Sequence, residues 1–348
     1  MKDIYYEESL NLRNPVYIDV RSPLEFEEDH IPGALNLPIF DNEERKEVGT
    51  LYKMVGRDQA VLRGTEIGGK RIGNIINKIS ELKGCDIVIY CARGGMRSAS
   101  VSSLLSALGI ETYRIIDGYK SYRRYVNSNL SNLKIKPAIY MLQGLTGSGK
   151  TDILKELNFS VDLEGMAGHR SSVFGGIGLR QNSQKYFEGQ LFWKLTDLNN
   201  NPYILFEAES RKVGNLHIPD NIFSQMRAGD FILIKTPLER RIDIIKKEYS
   251  SFRIEEIISI VNSIRGKLGN AKSNALIELI ENSRIDEFIE ILLKEYYDPL
   301  YMHSIKKLNY IAEIENRNTK DAAEEVVLCI EKHYKKLQSG NNFQLKYV

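Results

Sequence analysis

Apolar positions along the chain fall into two arrangements, and each predicts one kind of element. Short continuous apolar runs bounded by polar or glycine-bearing turns predict buried strands of a parallel sheet. They occupy residues 16–20, 86–90, 112–116, 139–142, 203–207 and 231–234. Between them the spacing becomes helical. Residues 68–82 place Ile72, Ile75, Ile76 and Ile79 on one face, and Val101, Leu104, Leu105 and Leu108 do the same after the second strand. Arg21-Ser22-Pro23 opens a further helix at Pro23, and His30-Ile31-Pro32-Gly33-Ala34 marks a turn. Strands alternating with helices predict an α/β architecture. Beyond Pro237-Leu238-Glu239-Arg240-Arg241 the pattern is mainly helical, over 254–268 and 274–296, and the Lys/Asn-rich tail from Lys335 reads as disordered. The polar segment 127–136 ends at Pro137, so a first domain is expected over 1–133 and a second over 137–348.

Composition narrows the class. A length of 348 residues allows two separate cores, and 27% charged with 42% hydrophobic residues is the balance of an ordinary soluble chain. The start turns acidic where a signal peptide would need an apolar core, and no apolar run approaches the roughly 20 residues that span a bilayer. Three cysteines, Cys85, Cys91 and Cys329, give no disulfide framework, so a cytoplasmic location and no membrane are expected. The net charge of +2 is unevenly spread: residues 1–44 carry 3 Lys/Arg against 11 Asp/Glu, and residues 45–136 carry 17 against 7. A basic middle stretch suits a polyanionic partner or simply solvated charge.

The strongest chemical signal follows the strand at 139–142. Gly144-Leu145-Thr146-Gly147-Ser148-Gly149-Lys150-Thr151 fits G-x-x-x-x-G-K-[ST], with a helix leading out. Glycines there let backbone N–H groups converge on a polyphosphate at a helix N-terminus. Lys150 adds a positive charge and Thr151 a hydroxyl for metal or phosphate oxygen. The motif leaves open which phosphate is bound and whether hydrolysis follows. Asp162, Glu164, His169 and Arg170 follow in a stretch with six glycines from Gly165 to Gly189; they suit metal, base or phosphate roles, or an ordinary loop. The strand 203–207 ends in an acid in Walker-B fashion, so Glu207 or Glu209 is expected to hold a phosphate-bound Mg²⁺ through water, with the choice of acid open.

The strand 86–90 delivers Cys91 to Cys91-Ala92-Arg93-Gly94-Gly95-Met96-Arg97-Ser98. A thiol facing backbone N–H groups, a helix N-terminus and two arginines, Arg93 and Arg97, should exist partly as thiolate. The same cradle stabilises an oxyanion, persulfide or perselenide on that sulfur. Farther on, Gly118-Tyr119-Lys120-Ser121-Tyr122-Arg123-Arg124-Tyr125 interleaves tyrosines with bases. It reads as an amphipathic helix packing its tyrosines, or as an RNA-contacting surface through Lys120, Arg123 and Arg124. Arg265 is a further candidate for backbone contact.

Asp19-Val20-Arg21-Ser22-Pro23, Glu25-Phe26, His30-Ile31-Pro32-Gly33-Ala34 and the Cys91 loop together resemble a rhodanese domain, which carries sulfur or selenium on its loop cysteine. Five residues separate Cys91 from Arg97 where many such domains have four. That wider spacing is shared with cysteine phosphatases and suits a tetrahedral donor. The order of this domain, the phosphate loop, residues 162–170 and 206–210 resembles the tRNA 2-selenouridine synthases along nearly the whole chain. Tyr52-Lys53-Met54-Val55-Gly56 and Tyr297-Asp298-Pro299 match too, while Ser171 departs from the glycine usual after His-Arg.

The resemblance implies a rhodanese-like α/β domain followed by a P-loop NTPase-like α/β domain with a helical C-terminal part. It implies exchange of sulfur for selenium at C2 of wobble 2-thiouridine, with selenophosphate and geranyl diphosphate as co-substrates and an S-geranyl intermediate. The expected partners are a tRNA anticodon stem-loop and an enzyme supplying selenophosphate. Three other readings remain: an ATP-dependent thiolation enzyme using a Cys91 persulfide, a phosphatase fused to a kinase-like domain, and a non-catalytic RNA-binding regulator.

Overall fold

The apolar runs form strands whose central residues are buried whichever way their side chains point. A computed structural model of the chain describes residues 1–170, 172–249 and 252–344. Chain contacts divide it into two compact units, Met1–Leu130 and Ser131–Val348. Among the described residues each unit carries one five-stranded sheet in which every pairing is parallel.

In the first unit the strands are β1 (Lys2–Ile4), β2 (Pro15–Asp19), β3 (Leu35–Asn36), β4 (Asp86–Tyr90) and β5 (Tyr113–Ile115), in the order β1-β5-β4-β2-β3. Val88, Ile89 and Tyr90 of the central β4 are fully buried, which explains its unbroken apolar run. The helix Arg57–Ser80 begins well before the expected residue 68. Ala60, Ile67 and Gly68 extend its buried stripe backward, whereas Gly64, Gly68, Gly69 and Gly73 weaken its helical signature in sequence. A helix at Asn42–Met54, absent from the sequence reading, starts at a capping box in which the Asp41 carboxylate accepts from Glu44 N at 2.9 Å. The helix Tyr119–Asn132 takes in most of the polar segment expected to be a joint, because Tyr122, Val126 and Leu130 pack inward.

The second unit has β6 (Ala138–Gly144), β7 (Ser160–Val161), β8 (Tyr203–Glu207), β9 (Lys212–Val213), β10 (Leu216–His217), β11 (Asp230–Lys235) and β12 (Tyr310–Glu315). The sheet order is β12-β11-β6-β8-β7, and β9 pairs with β10 as a small antiparallel ribbon. β12 escaped the sequence reading because it is an edge strand whose only buried residue is Ile314. The expected helices 254–268 and 274–296 are each divided. Ile254–Ser263 is followed by Arg265–Leu268, and Asn270–Glu281 ends before Ser283, whose φ of +59° stops a helix. Ile285–Leu292 then continues into a π-helical turn, Leu293–Tyr297. These helices share one apolar core through Val261, Leu276, Ile280, Phe288 and Leu292. The tail expected to be disordered from Lys335 is helical to Gln344: its helix, Thr319–Gln344, is anchored on the sheet by Ala322, Ala323, Val326 and Ile330. Residues 345–348 of that tail, and Ser171, lie outside the described residues. Among the described residues no helix is long and apolar enough to cross a membrane.

Candidate functional site

Both candidate sites stand at the carboxyl ends of central parallel strands, where a strand gives way to a helix N-terminus. In the second unit β6 ends at Gly144 and the helix Lys150–Lys155 begins after the loop. Gly149 has φ +77°, and a Cβ there would come within 2.6 Å of Asn316 Nδ2, so only glycine fits.

The loop is held from behind. Arg241 Nε donates to Thr146 O at 2.9 Å, while its two terminal nitrogens bind the Asp298 carboxylate at 3.0 and 2.6 Å. Thr236 Oγ1 and Asn316 Nδ2 both donate to Ser148 O, at 2.9 and 2.8 Å. On the open side Lys150 Nζ donates to Gly144 O at 3.1 Å and lies 3.9 Å from Glu207 Oε1. Thr151 Oγ1 donates to Glu164 Oε2 at 3.3 Å. The loop residues Gly144, Thr146, Gly147, Ser148, Gly149, Lys150 and Thr151 line a cavity of about 90 Å³.

The acids expected nearby do not all serve alike. One oxygen each from Glu164, Glu207 and Glu209 lies within 4.8 Å of the others. Glu207, at the end of β8, is fully buried, and its Oε2 has no hydrogen-bond partner among the described residues. Burial first, then the negative charges of Glu164 and Glu209, hold its carboxyl well above the usual range, with Lys150 pulling the other way. Asp162 instead caps the helix Leu163–Ala167, accepting from Gly165 N at 2.7 Å, and burial raises its carboxyl. His169 and Arg170 line a second cavity of about 670 Å³ that shares Thr151 and Glu164 with the first, and Arg170 Nε lies 3.8 Å from Glu248.

In the first unit β4 delivers Cys91 into a loop ending at Gly95, where the helix Met96–Ala107 starts. The thiol is 3% exposed, with Sγ 3.3 Å from Ser98 Oγ, which also donates to Gly95 O at 3.2 Å. Cys91 O accepts from Tyr119 N at 2.8 Å and Ala92 O from Lys120 N at 3.2 Å, so the turn at Asp117-Gly118 clamps the loop. Gly94, at φ +59°, sits against that turn: a Cβ would meet Asp117 N and Ile115 O, both at 2.7 Å.

The two expected arginines divide. Arg97 is already engaged, donating to Glu25 at 2.6 and 3.2 Å, whereas Arg93 is exposed at the loop rim and, among the described residues, in no ion pair. Burial works to raise the Glu25 carboxyl, but the Arg97 bonds and charge, with Ser22 N and Arg45, outweigh it and hold it at about 2. The Asp19-x-Arg21 signature is structural. Arg21 is clasped by Asp19 at 2.6 Å and its guanidinium carbon stacks 4.1 Å from the Tyr119 ring centre.

Of the bases expected to meet RNA, Arg123 is 8% exposed, binds Asn127 Oδ1 at 2.7 Å and lies 4.0 Å from Asp29, so it belongs to the interior of the first unit. Tyr122 packs edge-on to Tyr6 at 5.0 Å, as the amphipathic alternative expects. Lys120 and Arg124 are exposed, although Arg124 pairs with Asp117 at 2.6 Å, and Arg265 is bound to Asn262 and Asn274. Sequence reasoning missed the residues behind the loops: Thr236, Arg241 and Asn316 for the phosphate loop, Gly118 for the cysteine loop. Asp298 and Glu25 did stand within recognisable motifs, without a role attached.

Comparison with known proteins agrees with this layout. Residues 137–336 match the tRNA 2-selenouridine synthase AAA domain, and residues 5–125 match the rhodanese-like domain. The tRNA 2-selenouridine synthase of Nitrosomonas eutropha is 33% identical over 344 residues, covering 83% of this chain and 88% of that protein. That of Hydrogenovibrio crunogenus is 31% identical, covering 86% and 92%, and that of Shewanella frigidimarina 30% identical, covering 86% and 90%. A rhodanese-like unit followed by a P-loop unit, matched along nearly its full length, places this chain in the tRNA 2-selenouridine synthase family.

Proposed function

We propose that this chain replaces sulfur by selenium at C2 of the wobble 2-thiouridine of tRNA in two steps. The observation that carries the reading is one chain holding a cysteine loop at one helix N-terminus and a phosphate loop with a carboxylate cluster at another. In the first step the thiocarbonyl sulfur attacks C1 of geranyl diphosphate. The C–O bond breaks, pyrophosphate leaves with the electron pair, and the N3 proton of the base passes to water as the C2–N3 double bond forms. Backbone N–H groups of residues 144–151 and the Lys150 ammonium stabilise the charge that builds on the departing diphosphate.

A divalent cation such as Mg²⁺ fits beside this loop. Three carboxylates converge, and the buried Glu207 Oε2 has no partner among the described residues. Glu164, Glu207 and Glu209 would hold it, directly or through water, with Thr151 on the phosphate side. The ion would neutralise diphosphate charge.

In the second step the selenium of selenophosphate attacks C2 of the S-geranyl base. The C2–S bond breaks and geranylthiolate departs, taking a proton from water. Water then removes the phosphoryl group from selenium, giving phosphate and 2-selenouridine. Alkylation makes this exchange accessible because the sulfur leaves as a thiolate instead of sulfide. The Cys91 loop, with Arg93 at its rim, receives the anionic selenium donor.

The test is nucleoside mass spectrometry of a 2-thiouridine tRNA incubated with geranyl diphosphate and then with selenophosphate. Gain of a geranyl group followed by its exchange for selenium is expected. Lys150→Ala should block the first change and Cys91→Ala the second. A change appearing only with ATP would replace this reading with ATP-dependent thiolation.

A further inference from the structure

A cavity of about 260 Å³ opens in the first unit along the helix Met96–Ala107, which begins where the Cys91 loop ends. Its walls come from Ile39, Phe40 and Val48, from Gly69 on the helix Arg57–Ser80, and from Met96 and Leu104 on the helix that follows the cysteine loop. Ile39 and Phe40 belong to the same buried apolar cluster as Cys91. Arg97, which closes the loop sequence, also lines the cavity. The rim is unusual for a water-facing surface: Tyr52 is 59% exposed, Met96 47% and Leu104 41%. A concave surface lined by apolar side chains, with large apolar groups left in water around it, marks a ligand site.

We propose that this cavity receives the geranyl tail of the alkylated base and holds the leaving geranylthio group during exchange with selenium; the inference rests on the two-step reading above. Size and chemistry select this occupant. A six-carbon ring fills an apolar cavity of about 150 Å³, so by proportion this one accommodates about ten carbons, the length of a geranyl chain. The ligand it fits is apolar over most of its length and polar where it meets Arg97, whose guanidinium it would share with Glu25. An S-geranyl pyrimidine meeting selenophosphate has that character. The tail would then fix the register of C2 relative to the Cys91 cradle without any base-specific hydrogen bond.

Gly69 gives a clean test. A Cβ on Gly69 or on Gly73 would meet nothing within 4 Å. Both lie on one helix, but only Gly69 lines the cavity. Gly69→Leu therefore fills the pocket, while Gly73→Leu makes the same chemical change outside it. The full-length protein is given anticodon stem-loop RNA carrying either S-geranyl- or S-methyl-2-thiouridine, plus selenophosphate, and KM and kcat are measured for each.

We expect the wild type and Gly73→Leu to prefer the geranylated RNA. Gly69→Leu should raise KM for it at least tenfold and leave the methylated substrate unchanged. A Gly69→Leu enzyme that keeps the wild-type preference would overturn the assignment, as would a loss that tracks a change in oligomeric state instead of tail length. Failure of the wild type itself to convert either alkylated RNA would overturn the two-step reading, and this inference with it.

Discussion

Asp298 offers the sharpest separation of stability from ligand binding. Arg241 has a side chain only 5% exposed, and Asp298, 23% exposed, is its carboxylate partner at 2.6 Å. Asp298→Asn preserves shape but leaves a buried guanidinium without a counter-charge. Breaking a fully buried pair in this way costs about 3–5 kcal/mol, so the partly exposed Asp298 points to about 2–3 kcal/mol. For a unit of this size that lowers Tm by roughly 5–10 °C. The double variant Arg241→Met with Asp298→Leu removes both charges and should recover the part of that loss that comes from the unpaired guanidinium. It also removes the charged bond from Arg241 Nε to Thr146 O, 2.9 Å long, which holds the phosphate loop. Such bonds contribute about 1.5–3 kcal/mol, so pyrophosphate affinity should remain at least about tenfold weaker. Thermal unfolding by circular dichroism and calorimetric titration with pyrophosphate read the two quantities separately. A double variant that is stable and binds pyrophosphate as the wild type does would show that Arg241 only packs the fold.

The Glu25–Arg97 pair and Gly94 give two further tests. Glu25 is held at about 2 from an ordinary 4.5, so its stabilisation is complete above pH 4.5 and is lost as pH falls towards 2. Allowing for solvent screening the effect is roughly 1–3 kcal/mol. Glu25→Gln should be less stable at pH 7 and lose less stability on acidification in urea titrations; parallel pH profiles would refute this. Gly94→Ala forces a Cβ onto Asp117 N and Ile115 O at a φ of +59°, at about 1–3 kcal/mol of local strain. It should abolish selenium incorporation while leaving geranyl gain intact, measured by nucleoside mass spectrometry, and normal incorporation would show that the loop tolerates displacement.

What the sequence disclosed follows from what is local in it. The α/β class was legible because each central strand is buried on both faces and reads as an unbroken apolar run. The phosphate loop and the cysteine loop were legible because a turn needing several glycines between a strand and a helix leaves a compact string of residues. β12 was not, since an edge strand has only one buried residue to announce it. Nor was the helix Thr319–Gln344 past Lys335, where polar residues continue a helix anchored far upstream at Ala322 and Val326. Arg123 misled for a related reason: its charge suggested solvent or RNA, but Asp29 and Asn127 meet it inside the first unit.

The deeper gap concerns how a loop presents its donors. In a trans peptide a carbonyl and the following N–H point opposite ways, so a group that grips the carbonyl from behind aims the next N–H forward. Arg241 on Thr146 O turns Gly147 N–H outward, and Thr236 with Asn316 on Ser148 O does the same for Gly149 N–H. In the first unit Tyr119 N on Cys91 O and Lys120 N on Ala92 O aim the amides of Ala92 and Arg93 the same way. The motif therefore supplies only the flexible half of each cradle. The rigid half comes from residues remote in the chain whose types, an Asn, a Thr or a buried Arg, carry no signature of their own. A cradle with donors fixed in advance loses little entropy when an anion arrives and needs no reorganisation as charge develops. Substitutions at Asn316 or Arg241 should thus behave like active-site changes although neither residue lines the phosphate-loop cavity, and a motif-based reading would pass over both.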